Sequence, residues 1–151
     1  MGEYIARLLD TDFDSAKRLQ KQYFRQHGTT MRGLMTEHGI EPSEFLDYVH
    51  DIDVTVIPPS AGLEQALARL PGRKLVFTNG SVPHAERVLT RLGVAQHFEA
   101  VYDIVAAKYR PKPDPDPYRE LCDLYGVEPS RSVRSEERRV GQECIYRWSR
   151  D

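Results

Sequence analysis

Apolar residues in the first fifty positions recur at intervals of three and four. Phe13, Ala16, Leu19, Tyr23 and His27 share one side of a helix, and Gly28 ends that run. A shorter helix is predicted from Met31 to His38, stopped by Gly39, and Pro42 opens the next, with Phe45, Leu46 and Val49 on one side. No strand pattern precedes Asp53. Pro58-Pro59 then interrupts the chain, and we place a module boundary there, giving a helical segment over 1–58.

Beyond the prolines the pattern alternates. Leu63, Ala66, Leu67 and Leu70 form a helix face, with Ser60 as its N-cap. Leu75-Val76-Phe77 is a continuous apolar run, as expected of a strand covered on both faces. Val82, Ala85, Val88, Leu89 and Leu92 form the next helix face, between Ser81 and Gly93. A second strand is expected from Val101 to Val105, and Tyr118, Leu121, Cys122 and Tyr125 make a third helix face ended by Gly126. Helices alternating with strands predict an α/β fold, a parallel sheet with covering helices over 59–133.

After Ser132-Val133 this rhythm calls for another apolar strand. The chain instead runs Arg134-Ser135-Glu136-Glu137-Arg138-Arg139 and finishes Cys144-Ile145-Tyr146-Arg147-Trp148-Ser149-Arg150-Asp151. Five arginines and no helical or strand period mark 134–151 as a charged extension, which we expect to be non-native to the fold or disordered.

Composition sets the class. The chain has 151 residues, 40% hydrophobic and 29% charged, with a net charge of -2. That suits a globular protein and gives no basic surface for nucleic acid or an anionic membrane. Cys122 and Cys144 have no metal-ligand spacing and make no disulfide framework. The opening Met1-Gly2-Glu3-Tyr4-Ile5-Ala6 lacks a signal-peptide core, so a cytoplasmic location is expected.

The chemistry lies at two places. The strand 75–77 runs into Thr78-Asn79-Gly80-Ser81, and Lys112 sits in the loop Arg110-Pro111-Lys112-Pro113-Asp114-Pro115. A threonine hydroxyl and backbone N–H groups at a strand end, beside a helix N-terminus, are fixed donors for phosphate oxygens. A lysine adds a compact positive charge, and flanking prolines limit how far it wanders. Thr78, Asn79, Gly80 and Lys112 are the expected phosphate-binding residues; each taken alone also reads as a simple capped turn or, for Lys112, a solvated loop residue.

A helical segment, Pro-Pro, a strand ending in Thr-Asn and then Lys-Pro-Asp-Pro together resemble the haloacid dehalogenase-like hydrolase superfamily, in the branch with a helical cap. Thr78 matches its second motif and Lys112 its third, and the resemblance implies that these two are catalytic. Tyr23-Phe24-Arg25-Gln26-His27-Gly28-Thr29-Thr30-Met31-Arg32-Gly33-Leu34 looks like the cap segment of pyrimidine 5'-nucleotidases, and Ile57-Pro58-Pro59 and Phe77-Thr78-Asn79-Gly80-Ser81 also look like that group. The resemblance implies a Rossmann-like core and hydrolysis of UMP or CMP through an aspartyl-phosphate, with Mg2+ shielding the phosphoryl charge. Cap residues that would meet base or ribose are Tyr23, His27, Thr29 and Arg32. Each also has a structural reading, as core, cap or surface charge.

The sequence departs from the family at both carboxylate motifs. Asp10-Thr11-Asp12 has the spacing of the nucleophile pair, but Leu8-Leu9 before it reads as helix rather than strand. Glu136-Glu137 has the position of the fourth motif, but Arg134-Ser135 interrupts the strand that would hold it. The expectation is an incomplete core: an N-terminally truncated, inactive fragment that carries no metal ligands of its own. Mg2+ and the nucleophile would belong to the intact parent. Other readings are a different small-molecule phosphatase or a haloacid dehalogenase of the same superfamily, or a non-catalytic helical binding module. The sequence fixes no oligomeric state.

Overall fold

A computed structural model describes residues 1–135 and the strand 145–147. The chain divides into two compact units, Met1–Lys112 and Pro113 onward.

The first unit begins with four helices: α1 (Gly2–Leu8), α2 (Phe13–His27), α3 (Thr30–His38) and α4 (Pro42–His50). Local sequence sets their ends. Asp12 caps α2 by accepting from the Ser15 amide at 2.9 Å, and Gly28 closes it at φ 80. Thr29 caps α3 by accepting from the Arg32 amide at 3.1 Å. These helices bury Tyr4, Ile5, Ala16, Tyr23, Met31, Leu34, Phe45 and Leu46 as one cluster. Full burial of the larger of these side chains contributes roughly 1.5–3 kcal/mol each. Gly33 permits it, since a Cβ there would lie 2.5 Å from Cβ of Tyr23.

Next come α5 (Ala61–Arg69), β1 (Leu75–Phe77), α6 (Val82–Leu92), a 3-10 turn (Ala95–His97) and β2 (Ala100–Tyr102). The strands pair in parallel, with Leu75 opposite Ala100 and Phe77 opposite Tyr102. The α/β class read from the sequence is therefore present: a small parallel sheet with helices. Ser60 caps α5 through the Leu63 amide at 3.3 Å, yet α5 has no buried residue. β2 stops at Tyr102, short of the expected Val105, because Asp103 opens a turn by accepting from the Ala106 amide at 2.8 Å.

That turn ties the sheet to the helices. Ile104 is buried in the α1–α4 cluster and Tyr109 packs against it. Lys108 and Tyr109 both have positive φ, 52 and 59. Non-glycine residues in this region carry a cost of about 1–3 kcal/mol each, here offset by the burial on either side.

The second unit holds α7 (Pro115–Tyr125), a 3-10 turn (Pro129–Arg131) and the antiparallel strands β3 (Val133–Ser135) and β4 (Ile145–Arg147). Asp114 caps α7 and Gly126 ends it, while Pro117, Tyr118, Leu121 and Cys122 are buried. The two strands pair with Val133 opposite Arg147 and Arg134 opposite Tyr146. A backbone ladder needs no side-chain period, so a three-residue strand leaves little trace in the pattern. The guanidinium of Arg134 lies over the Tyr118 ring, 4.8 Å from its centroid. Glu136, Glu137 and Cys144 lie outside the described residues.

Candidate active site

Phe77 and Tyr102 are register partners, so the loops that leave them start side by side at the carboxyl end of the sheet. Parallel sheets bind their ligands at this end. The Thr78 amide donates to the Tyr102 carbonyl at 3.0 Å, and the Ile104 amide to the Gly80 carbonyl at 3.2 Å. Within the first loop, Thr78 Oγ1 accepts from the Gly80 amide at 2.9 Å. A hydroxyl that accepts in this way still has its own hydrogen to donate.

The second loop returns to the first. Asn79 Oδ1 accepts from the Lys112 amide at 2.8 Å, and Lys112 Nζ donates to the Phe77 carbonyl at 3.2 Å. The ammonium also lies 5.4 Å from the Phe77 ring centroid, within range of attraction to its face. Thr78, Asn79, Gly80 and Lys112, singled out in the sequence, are thus brought together. All four are half-buried.

Tyr23, His27, Thr29 and Arg32 form another group, at the α2–α3 junction. Tyr23 is buried and its hydroxyl pairs with His38 Nε2 at 2.6 Å. Burial, then the Glu37 charge, holds the Tyr23 phenol above its usual pKa. His27 Nε2 faces Glu37 at 3.4 Å, Thr29 caps α3, and Arg32 is exposed. The Gly28 turn runs beside Pro111, where an added Cβ would lie 3.7 Å from the proline Cγ.

Three residues beside the loop escaped the sequence reading. Asp103 is 5% exposed and its Oδ2 accepts from the Val82 amide at 2.9 Å, capping α6. Ser81 holds the N-cap position but turns its hydroxyl to His50 Nδ1, at 3.0 Å. His50 in turn stacks on His84, with centroids 4.3 Å apart and planes 8° from parallel. A polar residue just past an apolar run was the available signal for Asp103. Nothing local marks the histidine pair.

Residues 4–133 match the sequence profile of the haloacid dehalogenase-like hydrolases. The chain belongs to that family. Among curated proteins, this haloacid dehalogenase-like hydrolase is similar to the N-acetylmuramic acid 6-phosphate phosphatase of Pseudomonas aeruginosa. The two are 33% identical over 99 residues, 61% of this chain and 42% of that protein. It is also similar to phosphate metabolism protein 8 of Saccharomyces cerevisiae, 30% identical over 132 residues, 76% of this chain and 40% of that protein. The chain spans about two fifths of the length of these relatives.

The family raises the question of a metal ion. Among the described residues, no three His, Cys, Asp or Glu side chains gather into a metal-holding group. Asp103 has committed one oxygen to Val82 and the other to Ala106. Asp12 accepts from both the amide and the hydroxyl of Ser15, and Asp10 is exposed in the α1–α2 turn. Mg2+ takes several oxygen ligands in a strict octahedron, and this donor set does not fit it. No helix among the described residues is long and apolar enough to cross a membrane.

Proposed function

We propose that Thr78, Asn79, Gly80 and Lys112 bind the phosphoryl group of a small phosphate monoester, in a protein that hydrolyses pyrimidine nucleoside 5'-monophosphates. The observation that carries this reading is the Asn79–Lys112 hydrogen bond, which joins the loop carrying the Thr78 hydroxyl to the loop carrying the lysine. In the reading, the Thr78 hydroxyl donates to one phosphoryl oxygen and Lys112 neutralises charge on the group. The Asn79 side chain positions the lysine without touching substrate. Tyr23, His27, Thr29 and Arg32 belong to the cap side, which would select the pyrimidine.

The nucleophilic Asp and the carboxylates for Mg2+ are not supplied by the described residues, so the reading assigns them to a longer parent. Residues 1–58 then act as cap, 59–133 as part of the core, and 134–151 as a tail outside it. It follows that this chain alone releases no phosphate. A cytoplasmic location belongs to the same reading.

A second reading is a sugar-phosphate phosphatase, favoured by the name of the Pseudomonas relative. One assay separates them. Phosphate release from UMP, CMP, AMP, GMP and a hexosamine 6-phosphate would be measured with Mg2+, using the chain and the reading frame extended through its flanking sequence. Turnover of UMP and CMP by the extended protein alone is expected. Turnover of the sugar phosphate alone would move the assignment to the second reading, and equal turnover of all four nucleotides would remove the pyrimidine preference.

A further inference from the structure

We propose that His50 is a positioning residue, which holds the Thr78–Ser81 loop against α4 while its imidazole is neutral. The inference rests on the phosphate-site reading for its functional consequence, but its geometry stands apart from it.

Ser81 would ordinarily cap α6, and Asp103 has taken that task. The serine hydroxyl is thereby available to His50 Nδ1 at 3.0 Å. The other ring nitrogen, Nε2, lies against Gly80, where an added Cβ would come within 3.4 Å of both Nε2 and Thr78 Oγ1. One imidazole thus touches two consecutive residues of the candidate phosphate loop. One face of the ring is covered by the parallel ring of His84.

α6 reinforces this contact along one stripe. Residues 84, 87 and 91 follow at intervals of three and four and share a face. His84 stacks on His50, Arg87 donates to the His50 carbonyl, and Arg91 donates to the Thr55 carbonyl at 2.8 Å. The chain leaving α4 is therefore fastened to the helix that follows the loop.

The charges around His50 oppose its protonation. Burial, His84 and Arg87 hold the imidazole below its usual pKa, with Asp47 on its own helix acting the other way. Burial and Arg87 do the same to His84, whose Nδ1 finds no partner among the described residues. The loop 78–81 adds no titratable side chain. Two stacked imidazolium ions beside a guanidinium repel, so acidification should part the rings and loosen the loop. Because both imidazoles stay neutral more readily in the folded chain, the stability they contribute is present above about pH 6.5 and is lost as pH falls below it.

The test uses amide NMR of the 151-residue chain between about pH 5 and about pH 8, with inorganic phosphate as the probe. In the wild type, the Gly80 and Ser81 amides should titrate together with the His50 ring. His50→Phe keeps an aromatic stack on His84 and removes the bond to Ser81. It should abolish that titration and weaken phosphate binding about two- to tenfold, the worth of one hydrogen bond. His50→Asn can meet the Ser81 hydroxyl again and should restore the affinity without the pH response. Gly80 and Ser81 amides indifferent to the His50 titration would overturn the proposal, as would phosphate binding unchanged by His50→Phe. Absence of phosphate shifts at 78–81 in the wild type would sink the phosphate-site reading instead. The pH titration would still decide the role of His50 in the loop.

Discussion

Asn79 and Lys112, thirty-three positions apart, are joined by a 2.8 Å hydrogen bond from the lysine amide to the asparagine side chain. The bond fixes the backbone of the lysine rather than its ammonium. Asn79→Ala should therefore leave the charge in place and lose its aim. About 1–3 kcal/mol of stability should go with the unsatisfied amide, measurable as a lower midpoint in urea. Asn79→Asp keeps an acceptor, and stability should return, but its carboxylate should repel phosphate. Phosphate affinity unchanged in both variants would separate Asn79 from the site.

Lys112→Ala should act on rate more than on binding in an extended, active protein. Charge on the phosphoryl group shifts most in the transition state, and an interaction that grows there is read in kcat. The expected result is a large fall in kcat with a modest change in KM. An unchanged kcat would make Lys112 a loop residue held by Phe77 and Asn79.

Gly33→Ala tests the α2–α3 packing. The new methyl would meet Tyr23 Cβ at 2.5 Å, so the helices must separate. Overpacking of this kind costs about 1–3 kcal/mol, with Tm falling roughly 2–4 °C per kcal/mol in a chain of this size. Gly62→Ala is the control, because nothing lies within 4 Å of its added Cβ in α5. It should hold or raise Tm.

Hydrogen exchange should divide the first unit by burial. The amides of α1 to α4 surround the Tyr4–Ile104 cluster, whereas α5 buries no side chain and leaves Leu63 and Leu70 exposed. Slow exchange is expected in α2 and α3 and fast exchange throughout α5. Equal protection in α5 would show that another surface covers it in solution, such as a second copy of the chain.

Much of this was legible in the sequence because it is local. Gly28, Gly39, Gly93 and Gly126 end helices at positive φ where the pattern stops, and Ser60 caps α5. The loops carrying Thr78 and Lys112 were readable from strand, turn and proline signals. What the sequence hid is long-range. The Asp103 cap on α6 spans 21 positions and the His50–Ser81 bond 31, and neither has a periodic signature. Ser81 stands at the N-cap position of α6, but the buried Asp103 carboxylate takes the amide in its place. Val133–Ser135 was hidden because a three-residue strand is too short to show a side-chain period.

The ten residues from Asp103 to Lys112 begin and end at the sheet loop and pass among the helices in between. Ile104 and Tyr109 are lodged among the helices, and Lys112 is tied to the sheet loop. The helices are consequently not a lid hung on a single hinge. To swing away from the sheet they would have to release Ile104, 1% exposed, or drag the segment carrying the lysine with them. A cavity cut into the helical core, as by Leu34→Ala, should then reach the lysine through this tether, and a packing defect would register as a lesion in chemistry.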